Sequence, residues 1–256
     1  MNCLLAGFAR VDITPPMGIS INGYFMKRYS DGVLDPLEAG AIALSCGEKT
    51  VVLIALDNLG IPQFLLQPMQ EAICQATGLY KDALFIHCTH SHTAGAVGVK
   101  WEEPQNIQYR NDLATLLAQV ATEALADRQP ARMGWRTTTM PPLGFSRRFR
   151  MKDGSVRTNP GRNNPDVVGP MSPADETIRL VRFIREGADE ILLVNFQVHP
   201  DVMNTKGYSA DYPGIVCDTL ERALPGTKCI YFNGTAGDLN HVDIKAPEWD
   251  PCTGPG

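Results

Sequence analysis

Six apolar runs of strand length constrain this chain more than any other feature: AGAIALSC (39–46), VVLIAL (51–56), ALFIHC (83–88), TIRLVRFI (177–184), EILLVNFQV (190–198) and KCIYFN (228–233). Each is too short to be a helix burying one face, and each is bounded by turn-forming residues, so they read as buried strands. Helical periodicity appears elsewhere. In 63–76, Phe64, Leu65, Met69 and Ile73 fall near one face, and in 111–127 Leu113, Leu116, Leu117, Val120, Ala121 and Ala124 do so. A third helix is expected at 214–224, after DYPG. Strands separated by helices in the first and last thirds predict an α/β fold with at least partly parallel pairing, because a parallel pair needs a long crossover. At 256 residues the chain is read as a single domain, 1–256, with a sizeable core. Its middle, 137–175, is rich in Pro, Gly, Asn and Arg and reads as a long loop excursion holding at most one hairpin.

Charge and cysteine usage exclude several classes. The balance of 23 basic and 28 acidic residues leaves a net charge of −5, and the cations are spread out except in FSRRFRMKDGSVR (145–157), so no nucleic-acid partner is expected. The seven cysteines stand singly at 3, 46, 74, 88, 217, 229 and 252, with no C-x-x-C pair, and read as reduced. The opening MNCLLAGFARVDITPP carries no basic leader and reads as no signal peptide. No apolar run reaches the ~20 residues of a membrane span, so the expected compartment is the cytoplasm. The sequence NGT at Asn233 reads as a tight turn and not as a glycan site.

The histidines gather at strand ends. His90 and His92 follow the strand at 83–88, His199 follows the one at 190–198, and His241 closes YFNGTAGDLNH. Asp57 and Asp238 hold similar places, after VVLIAL and in TAGDLN. In α/β sheets ligands collect outside the carboxyl ends of strands, where side chains converge without disturbing the core. Neutral imidazole is a good zinc ligand, and two histidines at i and i+2 of an extended segment project to one side. A catalytic zinc keeps an open position for water, acidifies it and polarises a carbonyl, which suits cleavage of an amide or ester. His87, inside the strand, reads as a hydrogen-bonded core histidine.

The segments AGFARVDITPPMGISINGY, THSHTAGA, NFQVHPDVM followed by SADYPG, and FNGTAGDLNH resemble, in order and approximate spacing, the catalytic region of neutral/alkaline non-lysosomal ceramidases and their shorter bacterial relatives. The resemblance spans roughly residues 5–243. It implies mixed β-sheets sandwiched between helical layers, and a zinc-dependent amidase cutting the N-acyl bond of ceramide or of a related small-molecule or lipid-like amide. Carried over by position, it implies His90 and His199 as zinc ligands, with His92 beside the metal, holding an oxyanion or shuttling a proton. It also implies a functional arginine at Arg147, with Arg148 as the alternative register, and Ser209 and Asp211 as hydrogen-bonding supports.

Two departures stand beside the match. The sequence TAGAVG replaces the family's S-G-P-G-G, and the family completes its zinc site with a glutamate and a tyrosine from beyond the last motif. Here two histidines would need Asp57, Asp238 or His241, and the sequence does not choose among them. The Pro/Gly-rich tail EWDPCTGPG is expected to add no helix or strand, which leaves a fragment of a longer protein as one reading. The expected function is a zinc-dependent amidohydrolase; the alternative is a non-catalytic or incomplete relative that binds metal or ligand without turnover. A metallophosphatase is disfavoured by the lack of GDxHG and GNHD segments.

Overall fold

The computed structural model describes residues 4–98, 103–203 and 205–246, with the backbone of 249–250 and 254–255. Cys3, Cys252 and much of the tail lie outside the described residues. Eight strands form one mixed sheet: β1 (Leu4–Asp12), β4 (Glu38–Cys46), β5 (Lys49–Leu56), β6 (Leu84–Cys88), β7 (Gln129–Thr139), β12 (Thr177–Arg185), β13 (Glu190–Phe196) and β14 (Thr227–Asn233). Between them come the short strands β2 (Ser20–Ile21), β3 (Arg28–Tyr29), β8 (Phe145–Ser146), β9 (Arg148–Met151), β10 (Val156–Thr158) and β11 (Val167–Pro170), with β15 (Leu239–Asn240) after them. The helices are α1 (Gln63–Thr77), α2 (Pro104–Ala126) and α3 (Asp211–Ala223). None is long and apolar enough to cross a membrane.

The strand order is β14-β13-β12-β7-β1-β4-β5-β6. Two pairs are parallel, β5 with β6 and β13 with β14, and each is joined by a crossover helix, α1 and α3 respectively. The two halves of the sheet are joined weakly, since β1 meets β7 only at Leu5–Pro130 and Ala6–Gln129. The halves fold over on each other at that junction. Ala6, Phe8, Ile42 and Ala55 of one half share a core with Phe183, Ile191, Ile230 and Phe232 of the other. The far edges also touch: the Asn233 N–H of β14 donates to His87 Nε2 of β6 at 2.9 Å, and the Phe232 ring stacks on that of His87. His87 is half-buried and hydrogen-bonded, and burial lowers its pKa to about 4, so it is neutral.

Period-two alternation decides what each face meets. Ala39, Ala41 and Ala43 of β4 and Val52, Ile54 and Leu56 of β5 pack with α1 and α2, while Ile42 and Ala55 point into the inter-sheet core. On the opposite side Tyr212, Val216, Cys217 and Leu220 of α3 cover Leu192, Val194, Cys229 and Tyr231. The outcome is two mixed half-sheets between helical layers. Helix α2 starts seven residues earlier than its apolar stripe at 111, because Pro104 occupies the first turn, where no N–H is needed.

Three expectations change. Strands β1 and β7, which form the junction, carry Gly7, Arg10 and Asp12 or lie largely exposed, and so show no apolar run. The 137–175 excursion is not a loop with at most a hairpin: β10-β9-β11 is a three-stranded antiparallel sheet on Phe149, Met151 and Ile244, and β8 pairs with β15. Its alternation is confined to four residues, buried at Phe149 and Met151 and exposed at Arg148 and Arg150. In the tail, Trp249–Asp250 pairs with Gly254–Pro255, a short pairing where no strand was expected.

Candidate metal centre

The carboxyl ends of the two parallel pairs face each other across the fold, and their loops carry the histidines. Past β6, the Thr89 N–H binds the Leu56 carbonyl at 3.0 Å and the His90 N–H binds that of Asn58 at 2.9 Å. His90 has φ of 75°, a left-handed conformation uncommon for a residue with a Cβ. The rings of His90 and His92 therefore converge through a backbone kink and not through the extended i, i+2 geometry expected from sequence. His199 arrives from β13. Ring centroids lie 5.1 Å apart for His90 and His92, and 4.8 Å for each of these with His199. The candidate ligand atoms of the three all fall within 4.8 Å of one another.

The two loops are locked together by buried polar groups. The Ser91 and Thr93 hydroxyls both donate to the Ser209 carbonyl, at 2.7 and 2.8 Å, and the His92 N–H binds the Pro200 carbonyl at 3.1 Å. Ser209 is fully buried and its hydroxyl donates to Asp35 at 2.6 Å. Asp211, also fully buried and at φ of 60°, accepts the N–H groups of Val202 and Met203, both at 3.1 Å. Burial raises its carboxyl despite these bonds. Ser209 and Asp211 thus hold the loop that carries His199 against the loop that carries His90 and His92.

The three imidazoles differ at their outer nitrogens. His90 Nδ1 lies 2.7 Å from the Leu59 carbonyl and His199 Nδ1 lies 3.3 Å from that of Ala236. Among the described residues His92 Nδ1 is buried with no hydrogen-bond partner, 3.8 Å from Asp201 Oδ2. On the inner side, His92 Nε2 and His199 Nε2 are 2.9 Å apart. Burial lowers the pKa of His92 to about 4, with Asp201 opposing and the neighbouring histidines adding to the fall, and burial lowers that of His199. These are neutral rings, the form a metal requires.

Arg147 donates to the Gly237 carbonyl at 2.5 Å, and its charge reaches His199, depressing its pKa further. Arg148 sits exposed on β9. The remaining candidates lie outside the cluster. Asp57 is buried and accepts the Thr89 hydroxyl at 3.1 Å; Asp238 accepts the Ser172 hydroxyl at 3.3 Å; His241 lines an apolar cavity of about 330 Å³ with Val198 and Val202. Three neighbours were not anticipated from sequence: Tyr24, whose hydroxyl donates to Asp201; Arg28, which binds the His92 carbonyl at 2.8 Å and covers the Tyr24 ring at 3.9 Å; and Asp201 itself. Only Asp201 left a signal, two residues after His199.

No family model matches the sequence, and no curated protein does. Solved structures do match. The neutral ceramidase from Pseudomonas aeruginosa aligns over 100% of this chain and 41% of its own, with a TM-score of 0.77 and 17% identity. A ceramidase complexed with C2 aligns over 94% of this chain and 39% of its own, with a TM-score of 0.72 and 16% identity. The chain thus spans about two fifths of the length of the ceramidase structures it matches. Half-sheets, helical layers and crossovers together give this chain a ceramidase-like fold.

Proposed function

We propose that the chain is a zinc-dependent hydrolase that cleaves an N-acyl amide, lipid-like or small and soluble. The observation carrying this reading is the convergence of three imidazoles at the carboxyl ends of two parallel strand pairs. The donor set fits a cation. A ring whose Nδ1–H is given to a main-chain carbonyl turns a bare Nε2 to the other side, the arrangement usual for a metal-bound histidine. His90 and His199 both have such carbonyls, and they are the ligands in this reading. A bare His199 Nε2 standing 2.9 Å from another ring nitrogen needs a proton or a cation beside it. Zinc held there would supply polarisation of a carbonyl oxygen and acidification of a water.

The chain's own residues account for the rest. His92 lacks a carbonyl at Nδ1 and is the proton carrier, accepting a proton at Nε2 from water and passing it to the leaving amine nitrogen. Arg147 places a positive charge on the His199 side, where it favours an oxygen that gains negative charge. Ser209 and Asp211 keep the two loops in register.

The test is elemental analysis of protein purified without chelator, beside hydrolysis of a fluorogenic N-acyl amide. About one zinc per chain with hydrolysis supports the reading. Zinc without hydrolysis transfers it to the non-catalytic alternative, and an absence of bound metal sinks it.

A further inference from the structure

We propose that a pocket on the α3 face of the second half-sheet is a binding site, separate from the metal centre, for an uncharged aliphatic molecule of about eight carbons that bears one hydroxyl. The proposal stands apart from the hydrolase reading, because it uses none of the residues given a role there.

Uneven cover of the two half-sheets leaves the space. Helices α1 and α2 both pack on the first half-sheet, whereas among the described residues α3 is the one helix on the second, and it runs along β14. Beside it, over Ile178 of β12 and Val194 and Phe196 of β13, a pocket of about 330 Å³ remains, lined on the helix side by Val216. Leu143 and Val202, 42% and 41% exposed, mark its open side. Val198 and Val202 flank His199 in the chain, but Val198 packs with Phe196 on the α3 face while the His199 ring turns to His92. None of the three clustered imidazoles lines the pocket.

The wall decides the ligand. Besides apolar side chains it holds Tyr212, Tyr231 and His241. Both tyrosine hydroxyls are committed, Tyr212 to the Val198 carbonyl at 2.7 Å and Tyr231 to that of Phe196 at 2.8 Å. His241 Nδ1 is buried with no hydrogen-bond partner among the described residues. A space of this size lined this way therefore asks for an apolar body with a single polar atom. It is about twice the ~150 Å³ of an apolar cavity that takes benzene, which leaves room for a chain of roughly eight carbons. A hydroxyl both donates and accepts, so it can serve Nδ1 in either tautomer. A carboxylate is excluded, because one imidazole nitrogen cannot replace the water that a full charge loses on entering an apolar wall.

Titration calorimetry with 1-octanol on the protein as purified tests this. Octanol should saturate a single site, with an affinity unchanged to within about twofold after chelation, and octanoate at about pH 8 should bind at least ~10-fold more weakly. His241→Phe keeps a ring in the wall but removes its nitrogens, and should weaken octanol by about tenfold. Val216→Phe should abolish binding by filling the pocket from α3, and Ile178→Phe, filling it from β12, serves if Val216→Phe does not fold; circular dichroism and melting establish folding of each variant. Absence of saturable octanol binding in the wild type, octanoate binding as tightly as octanol, loss of binding on chelation, or wild-type affinity in His241→Phe or in a folded filling variant overturns the proposal. Zinc content and amide hydrolysis are read separately, so failure of the hydrolase reading leaves this result standing.

Discussion

Asp57 directly follows β5, and its environment makes the stability of the fold depend on pH in a direction that one substitution can isolate. It is buried and accepts the Glu38 N–H at 3.0 Å and the Thr89 hydroxyl at 3.1 Å. Burial pushes its carboxyl up to about 7; the nearby charges of Glu38 and Asp35 add to the rise and the two hydrogen bonds oppose it. In an unfolded chain aspartate titrates near ~3.9. Between these values the folded state keeps a proton that the unfolded state releases, so stability falls as pH rises. At about 1.4 kcal/mol per pH unit, a window of roughly three units is worth on the order of 4 kcal/mol, present below about pH 4 and lost as pH passes about 7. In Asp57→Asn this dependence disappears. The amide can still accept one hydrogen bond, so the variant should be less stable than the wild type near pH 4–5 and equal or better near pH 8. Denaturant unfolding of both proteins across that range measures the difference directly. A difference constant to within about 0.5 kcal/mol would refute the reasoning, because the carboxyl would then titrate alike in both states.

Further outcomes bear on the site and on the packing around it. His90→Ala or His199→Ala should each lower bound zinc at least ~10-fold, whereas His92→Ala should keep zinc and lose on the order of 10²- to 10³-fold in turnover; metal analysis and single-substrate kinetics on the three variants decide the assignment, and loss of zinc from His92→Ala would overturn it. Ser209→Ala leaves the Asp35 carboxylate and the Asp211 N–H without their shared hydroxyl partner, and should cost about 2–3 kcal/mol by chemical denaturation; no loss would mean that the loops do not depend on it. Gly7→Ala places a Cβ 2.1 Å from the Ala124 carbonyl oxygen, backbone on backbone, and should cost at least ~1–3 kcal/mol; an unchanged unfolding midpoint would refute the close seating of α2 on β1.

Local signals were legible where one residue's neighbours in the chain are also its determinants. A strand that buries most of its side chains reads as a largely apolar run, and the runs at 39–46, 51–56, 83–88, 177–184, 190–198 and 228–233 correspond to β4, β5, β6, β12, β13 and β14. Strands β1 and β7 were illegible for the complementary reason. Gly7 is there to admit the end of α2, and much of β7 faces solvent, so neither needs an apolar run. The three-stranded sheet of β9, β10 and β11 is small enough to be held by Phe149, Met151 and Ile244, too few residues to set a pattern.

The candidate centre divides along the same line. That His90, His92 and His199 leave the carboxyl ends of strands follows from their positions after apolar runs, and the sequence by itself determined that much. That their rings meet did not follow, because the two loops are more than a hundred residues apart and belong to half-sheets joined by two residue pairs. The left-handed turn at His90, the seat of Ser209 on Asp35 and the closure of the sheet from Asn233 to His87 are each set by a partner distant in sequence. Tyr24 and Asp201, 177 residues apart, meet only in the tertiary structure. Apolar patterning fixes which stretches are buried, since burial is additive along the chain; convergence of polar groups depends on the angle and register at which those stretches pack, and the tertiary structure alone supplies these.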